Sequence, residues 1–210
     1  MNYEIIPFVL GPIDNNTYMV IDHSMKKAAV IDPSFESQKI IQTANQFECE
    51  ISQIWCTHAH FDHIAGVNEL IPLLPKTPDI YLHQSDLPLW NSHGGAKLFG
   101  FPFEIQFQPT CLLNDFEFLD FGEIKVETRF TPGHTPGHII FYLPEADIVF
   151  CGDLIFRESV GRTDLPGGNH LQLINSIENQ IKPLPDHTRL LSGHGPETTV
   201  GYEKKHNPFL

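Results

Sequence analysis

The sequence predicts an α+β fold in which two β-sheets pack face to face with helices on their outer surfaces. Short apolar runs bounded by Gly, Pro, Asn and Asp recur through both halves of the chain. In each half, strands precede segments whose apolar residues recur at helical spacing. No long linker, repeat or low-complexity stretch divides the 210 residues, so residues 1–210 are expected to form a single domain. A boundary near residue 110 would mark only a pseudo-repeat of halves.

The elements follow in order. Residues 4–10, 17–22 and 27–32 read as a β-meander punctuated by Gly11-Pro12, Asp14-Asn15-Asn16 and Asp32-Pro33. A helix is expected over 36–47, capped by Ser34, with Ile40, Ile41, Ala44 and Phe47 on one face. The strand 51–57 runs into a histidine cluster, and residues 65–74 form a helix ended by Pro75. Strand 79–83 leads to a polar helix or loop over 84–98 containing Gly94-Gly95. FEFLDFG and IKVETRF (124–130) resemble a hairpin, and strands 138–143 and 147–153 follow. The chain closes with a helix over 169–181, a strand and loop in RLLSGHG, and a short helix near 199–206.

Charge excludes some functions. With 13 basic residues against 26 acidic, the net charge of -13 repels a phosphate backbone, so nucleic acid is not an expected partner. No apolar stretch approaches the roughly 20 residues that span a bilayer, and the N-terminus lacks a basic leader and cleavage site. The expectation is a soluble, cytoplasmic protein without a membrane partner. The four cysteines form no CxxC pair and read as free thiols.

Histidine is the unusual residue. Twelve occur in the chain, in short clusters beside aspartates and glycines. The motif THAHFDHIAG (57–66) directly follows an apolar strand, where α/β sheets hold ligands. His58 and His60 project to one side, while Asp62 and His63 come from the next turn and face a second centre. Three later segments each place a ligand-type residue after an apolar strand: His134 in TPGHTPGH, Asp153 in CGDLIF and His194 in SGHG. Five histidines and two aspartates exceed what one four-coordinate ion uses. Two divalent ions about 3.5–4 Å apart account for the surplus. His58, His60 and His134 are assigned to the first, Asp62, His63 and His194 to the second, and Asp153 to a bridge. Imidazole and carboxylate suit zinc first, with iron or manganese as alternatives. Such ions lower the pKa of water to about 7, which provides a nucleophile at neutral pH. Asp62 is also the candidate catalytic carboxylate.

THAHFDH together with TPGHTPGH, CGD and SGHG resembles the metallo-β-lactamase superfamily. The resemblance implies a four-layer αββα sandwich of two mixed β-sheets flanked by helices, with the metal site along one edge. GRTDLPGG (161–168) and the ending GHGPETTVGYEKKHNPFL are similar to short glyoxalase II-like hydrolases without a C-terminal helical domain. Such members hydrolyse thioesters, typically S-D-lactoylglutathione to D-lactate and glutathione, so the implied partner is a small-molecule thioester, including glutathione conjugates. Aspartate at position 153 goes with the thioesterase-like members rather than with true β-lactamases. GRTD also occurs in a persulfide dioxygenase branch with one iron, which stays open as an alternative. Lactone or ester hydrolysis and a non-catalytic metal-binding module stay open too.

The remaining features have plainer readings beside the functional ones. His138 reads as an outward strand residue or a support behind the ligands. His83, His93, His170, His187 and His206 read as surface or structural, and Cys151 as a small buried hydrophobe. Asp32 either braces the site or makes an Asp-Pro turn. Arg162 and Asp164 either fix a loop as a pair, or Arg162 meets a substrate carboxylate.

Overall fold

The computed structural model describes residues 2–210 and contains two six-stranded sheets and a small hairpin. The first sheet comprises β1 (Tyr3–Leu10), β2 (Asn15–Asp22), β3 (Lys27–Ile31), β4 (Glu50–Trp55), β5 (Asp79–His83) and β6 (Cys111–Leu113), in that order. β1 to β3 are an antiparallel meander, and β3 to β6 run parallel. Parallel neighbours need crossovers. Here they are α1 (Gln38–Gln46), the pair α2 (Phe61–Ile64) and α3 (Val67–Leu70), and α4 (Leu87–Asn91).

The second sheet contains β7 (Phe116–Phe121), β8 (Ile124–Phe130), β9 (Ile139–Leu143), β10 (Ile148–Gly152), β13 (Arg189–Ser192) and β14 (Thr198–Thr199). Its order is β14-β13-β10-β9-β8-β7, antiparallel except for β10 beside β13. Between β10 and β13 lie the hairpin β11 (Ile155–Phe156) and β12 (Ser159–Val160), then α5 (His170–Ser176); α6 (Val200–His206) ends the chain.

Both sheets are mixed, and strand alternation distributes the core into three apolar layers. Met19, Val30 and Ile54 face Ile40, Ala44 and Leu70 of the first helical layer. Tyr18, Ile31 and Trp55 meet Phe121, Phe141 and Phe150 between the sheets, where the Trp55 ring stacks 5.4 Å from Phe141. Ile140, Val149 and Cys151 face Leu173 and Ile177 on the far side. Strands β9 and β10 are covered on both faces, which is why IIFYL and IVFCG read as unbroken apolar runs.

Several boundaries differ from the sequence expectation. Helix α1 starts at Gln38 after Ser37, not after Ser34, and the Glu69 carboxylate on α3 accepts from Ser37 N at 2.8 Å. The expected 65–74 helix is broken. Gly66 N donates to Pro33 O instead of continuing α2, and Pro72 lies in a 3₁₀ turn over Ile71–Leu73. The 169–181 helix is α5 followed by one π turn over Ile177–Ile181, with Asn169 accepting from Gln172 N at the start. Among the described residues no helix is long and apolar enough to cross a membrane.

Candidate metal centre

The segments that leave β4, β8, β10 and β13 meet at one edge of the sandwich. After β4 the chain bends at Thr57 and His58, and from an extended His60 enters α2, so His58 and His60 precede the helix and Asp62 and His63 ride on it. His134 arrives from the turn after β8, Asp153 from the end of β10 and His194 from the end of β13. All the sequence-predicted ligand residues are thereby brought together.

They form two triads. The ligand atoms of His58, His60 and His134 lie within 4.8 Å of one another, and so do those of Asp62, His63 and His194. Asp153 spans them: Oδ1 is 3.4 Å from His63 Nε2, and Oδ2 is 3.5 Å from His134 Nε2 and 3.8 Å from His194 Nε2. A third grouping, Asp32 with His58 and His63, is equally tight. The Asp32 carboxylate is already engaged, accepting from Thr57 N, Thr57 Oγ1 and His63 Nδ1, so it orients the site from behind.

The donor set suits metal ions. His134 donates Nδ1–H to Arg162 O at 2.7 Å, and His63 Nδ1 faces Asp32, which leaves both Nε2 lone pairs directed inward. His58 Nε2, His63 Nε2 and Asp153 Oδ1 are buried without a hydrogen-bond partner, an arrangement that costs about 1–3 kcal/mol per group unless something binds there. His60 Nδ1 and His134 Nε2 are 2.9 Å apart, which two lone pairs tolerate only with a proton or cation between them.

The triads differ electrostatically. Burial pushes His58 well below the usual histidine range, His60 to about 3, and His134 down as well. Burial opposes charge on His63 too, but Asp62 and Asp153 outweigh it and push His63 up. The Asp62 hydrogen bond likewise raises His194 against burial. A histidine must be neutral to offer its lone pair. Between about pH 7.5 and 5.5 the first triad therefore stays neutral, whereas binding at the second must displace protons. Affinity for the second ion is expected to fall roughly tenfold per pH unit for each proton displaced, while the first holds. Calorimetric titration of metal-free protein with zinc at both pH values checks this, and an equal pH dependence for both ions would refute it.

Three supports had no sequence signal. Asp86, fully buried before α4, accepts from Ala59 N at 2.9 Å, Thr135 Oγ1 at 2.8 Å and Gly137 N at 2.6 Å. Asn16 Nδ2 and Tyr18 Oη both donate to Ser192 O, and Asn16 N donates to Gly193 O, so β2 holds the His194 loop from the opposite sheet. Gly193 is a glycine because a Cβ there would run into Asp153 Oδ1 and His63 Cε1. Asp32 and His138, whose roles the motifs left open, both lie behind the ligands; Asp153 N donates to His138 Nε2 at 3.2 Å.

A cleft of about 460 Å³ opens over the centre, walled by Phe61, Phe99, Phe101, Phe156 and Leu165. Arg162 also lines it, and its guanidinium forms a bidentate pair with Asp164 at 2.8 and 2.7 Å. His83 is buried and stacked 4.5 Å from Phe130, away from the centre.

The family model of the metallo-β-lactamase superfamily matches residues 10–194. The chain belongs to that superfamily. Its relatives within the metallo-β-lactamase superfamily include the probable metallo-hydrolase YqgX of Bacillus subtilis, 39% identical over 96% of this chain and 94% of that one. Hydroxyacylglutathione hydrolase GloC of Haemophilus influenzae is 36% identical, over 100% of this chain and 98% of GloC. Among solved metallo-β-lactamase folds, the B3 metallo-β-lactamase BLEG-1 superposes with a TM-score of 0.92 at 36% identity, covering 99% of each chain. The protein TTHA1623, solved in a di-iron-bound form, gives a TM-score of 0.87 at 38% identity, over 98% and 100% of the two chains. The αββα architecture is thus that of the superfamily, and the chain is one of its metallo-hydrolases.

Proposed function

We propose that the chain is a cytoplasmic thioester hydrolase of the glyoxalase II type, cleaving S-D-lactoylglutathione to D-lactate and glutathione. The observation that carries this reading is the Asp153 carboxylate, whose Oδ1 lies beside His63 of the second triad while its Oδ2 lies between His134 of the first and His194 of the second. A carboxylate so placed suits a bridge. His58, His60 and His134 would hold one ion and Asp62, His63 and His194 the other, with zinc preferred and iron or manganese also suited to these donors. Bound there, two divalent ions supply Lewis acidity toward a carbonyl oxygen and bring the pKa of water to about 7.

The chain's own groups do the rest. Asp62, held by His194 Nε2 at 3.2 Å and facing the cleft, is placed to take a proton from the attacking water. The phenylalanine walls exclude bulk water and so strengthen the charge interactions at the centre. Cys151 is no nucleophile, because it is buried in the apolar layer beneath β10 and burial pushes its thiol up. Arg162 is offered to a substrate carboxylate, in exchange for Asp164. The hydroxyacylglutathione hydrolase named among the relatives supports this substrate class.

Metal analysis and turnover on one preparation test the reading. Two ions per chain, thiol release from S-D-lactoylglutathione and no oxygen uptake are expected. One iron per chain with oxygen consumed on glutathione persulfide would replace the hydrolase by a dioxygenase. Turnover of a β-lactam but of no thioester would move it toward the activity named for BLEG-1.

A further inference from the structure

The cleft over the metal centre adjoins a second cavity of about 300 Å³. His60, Phe99 and Leu165 line both. Asp62, His134, Asp153 and His194 line only the first cavity, so the second meets the metal centre through His60 alone. Its walls are Leu89, Leu98, Phe99, Leu165 and Pro166, and no carboxylate or amide side chain lines it. Ser92 and Lys97 are its polar members besides His60, and Lys97 is exposed, lending its methylene stem while its ammonium meets water.

Leu98 and Phe99 are 65% and 42% exposed. Exposed apolar residues alone mean little, but these wall a concavity beside a reaction centre. The wall is also fixed in place. Gly94, at φ 63°, packs so close to the Phe61 backbone that a Cβ would collide with it. The Phe99 ring lies 5.5 Å from Phe61, at the start of α2, the helix that carries Asp62 and His63. The cavity is therefore preformed and held in register with the ligands.

We propose that this second cavity is an acyl subsite, and that the enzyme prefers thioesters of unbranched apolar acyl groups, butanoyl to hexanoyl, over 2-hydroxyacyl ones. The proposal rests on the thioesterase reading above. In the reaction, water adds to the carbonyl carbon and the C–S bond breaks. The thiol departs with a proton through the larger cavity, and the acyl arm remains as a carboxylic acid, which ionises. An apolar arm gains by leaving water for these walls, whereas a hydroxyl on it must give up its solvation.

The test is a series of glutathione thioesters, acetyl, D-lactoyl, butanoyl and hexanoyl, assayed by thiol release. Expected kcat/KM rises about threefold per methylene, below the full transfer value because the cavity is partly open, with hexanoyl above lactoyl. In Leu98→Ser, an exposed site where folding loses little, the hexanoyl-to-acetyl ratio should fall at least about fivefold. Independently of turnover, hexanoate added to metal-free protein should shift the Leu89 and Leu98 methyl resonances, and D-lactate should not. Lactoyl equal to or above hexanoyl, or a ratio unchanged in Leu98→Ser, overturns the subsite and leaves the thioesterase standing. Hydrolysis of none of the series overturns the thioesterase reading itself.

Discussion

Asp153→Ala is expected to lower thioester hydrolysis roughly a thousandfold and to reduce bound metal from two ions per chain to one or none. Burial would by itself raise the Asp153 pKa, but His63, His134 and His194 outweigh it and hold the carboxylate far below its usual range. That charge serves both triads, so its removal weakens both at once. Asp153→Asn separates function from folding. It preserves shape but presents one oxygen and a neutral amide, so it should lose the second ion and most activity while its melting temperature stays near that of the parent. Elemental analysis and calorimetry read the ions, and thiol release reads the rate. Two ions and a rate within about threefold of wild type would show that Asp153 bridges nothing.

How legible the site was in the sequence depended on where each residue's partners lie. His58, His60, Asp62 and His63 could be named because β4, with Ile51, Ile54 and Trp55, leads straight into a dense polar motif. His134, Asp153 and His194 each follow a strand in the same way, so one rule found four segments far apart in the chain. The layered fold was legible because strands precede helically spaced segments in both halves of the chain, a pattern that packs two sheets together with helices outside. Residues whose value lies in a distant partner carried no such mark. Asn16 and Tyr18 read as turn and strand residues, yet they hold the His194 loop across sequence separations of 176 and 174 residues. Asp32 could be read as a brace or a turn, and only its bonds to Thr57 and His63 select the brace. Helix limits failed where tertiary bonds replaced helical ones, as at Gly66 N and Pro33 O. Those competing bonds come from packing, which periodicity does not report.

Asp86 is the extreme case, and its removal should have the next largest effect. The segment 84–98 reads only as a polar helix or loop, but the Asp86 carboxylate binds backbone and hydroxyl groups of two ligand-bearing loops. Ala59 lies between His58 and His60, and Thr135 and Gly137 follow His134, so one side chain sets the spacing of the entire first triad. Burial pushes the Asp86 pKa to about 6 despite three donors, so the group is ionised at pH 7.5 and above. Hydrogen bonds to a buried charge contribute about 1.5–3 kcal/mol each, and Asp86→Ala leaves their donors unpaired. A loss of about 4 kcal/mol is expected, lowering the melting temperature by roughly 10 °C in a chain of this size. Asp86 acts through the ligand loops rather than on substrate, so the decisive readout is ion affinity. In Asp86→Ala the first ion should bind about 10- to 100-fold more weakly, with activity at limiting metal falling in step and KM for the thioester little changed. Asp86→Asn retains one acceptor oxygen but turns an amide toward Gly137 N, so its affinity should fall between the two. Wild-type ion affinity in a folded but less stable Asp86→Ala protein would reduce Asp86 to a purely structural tie.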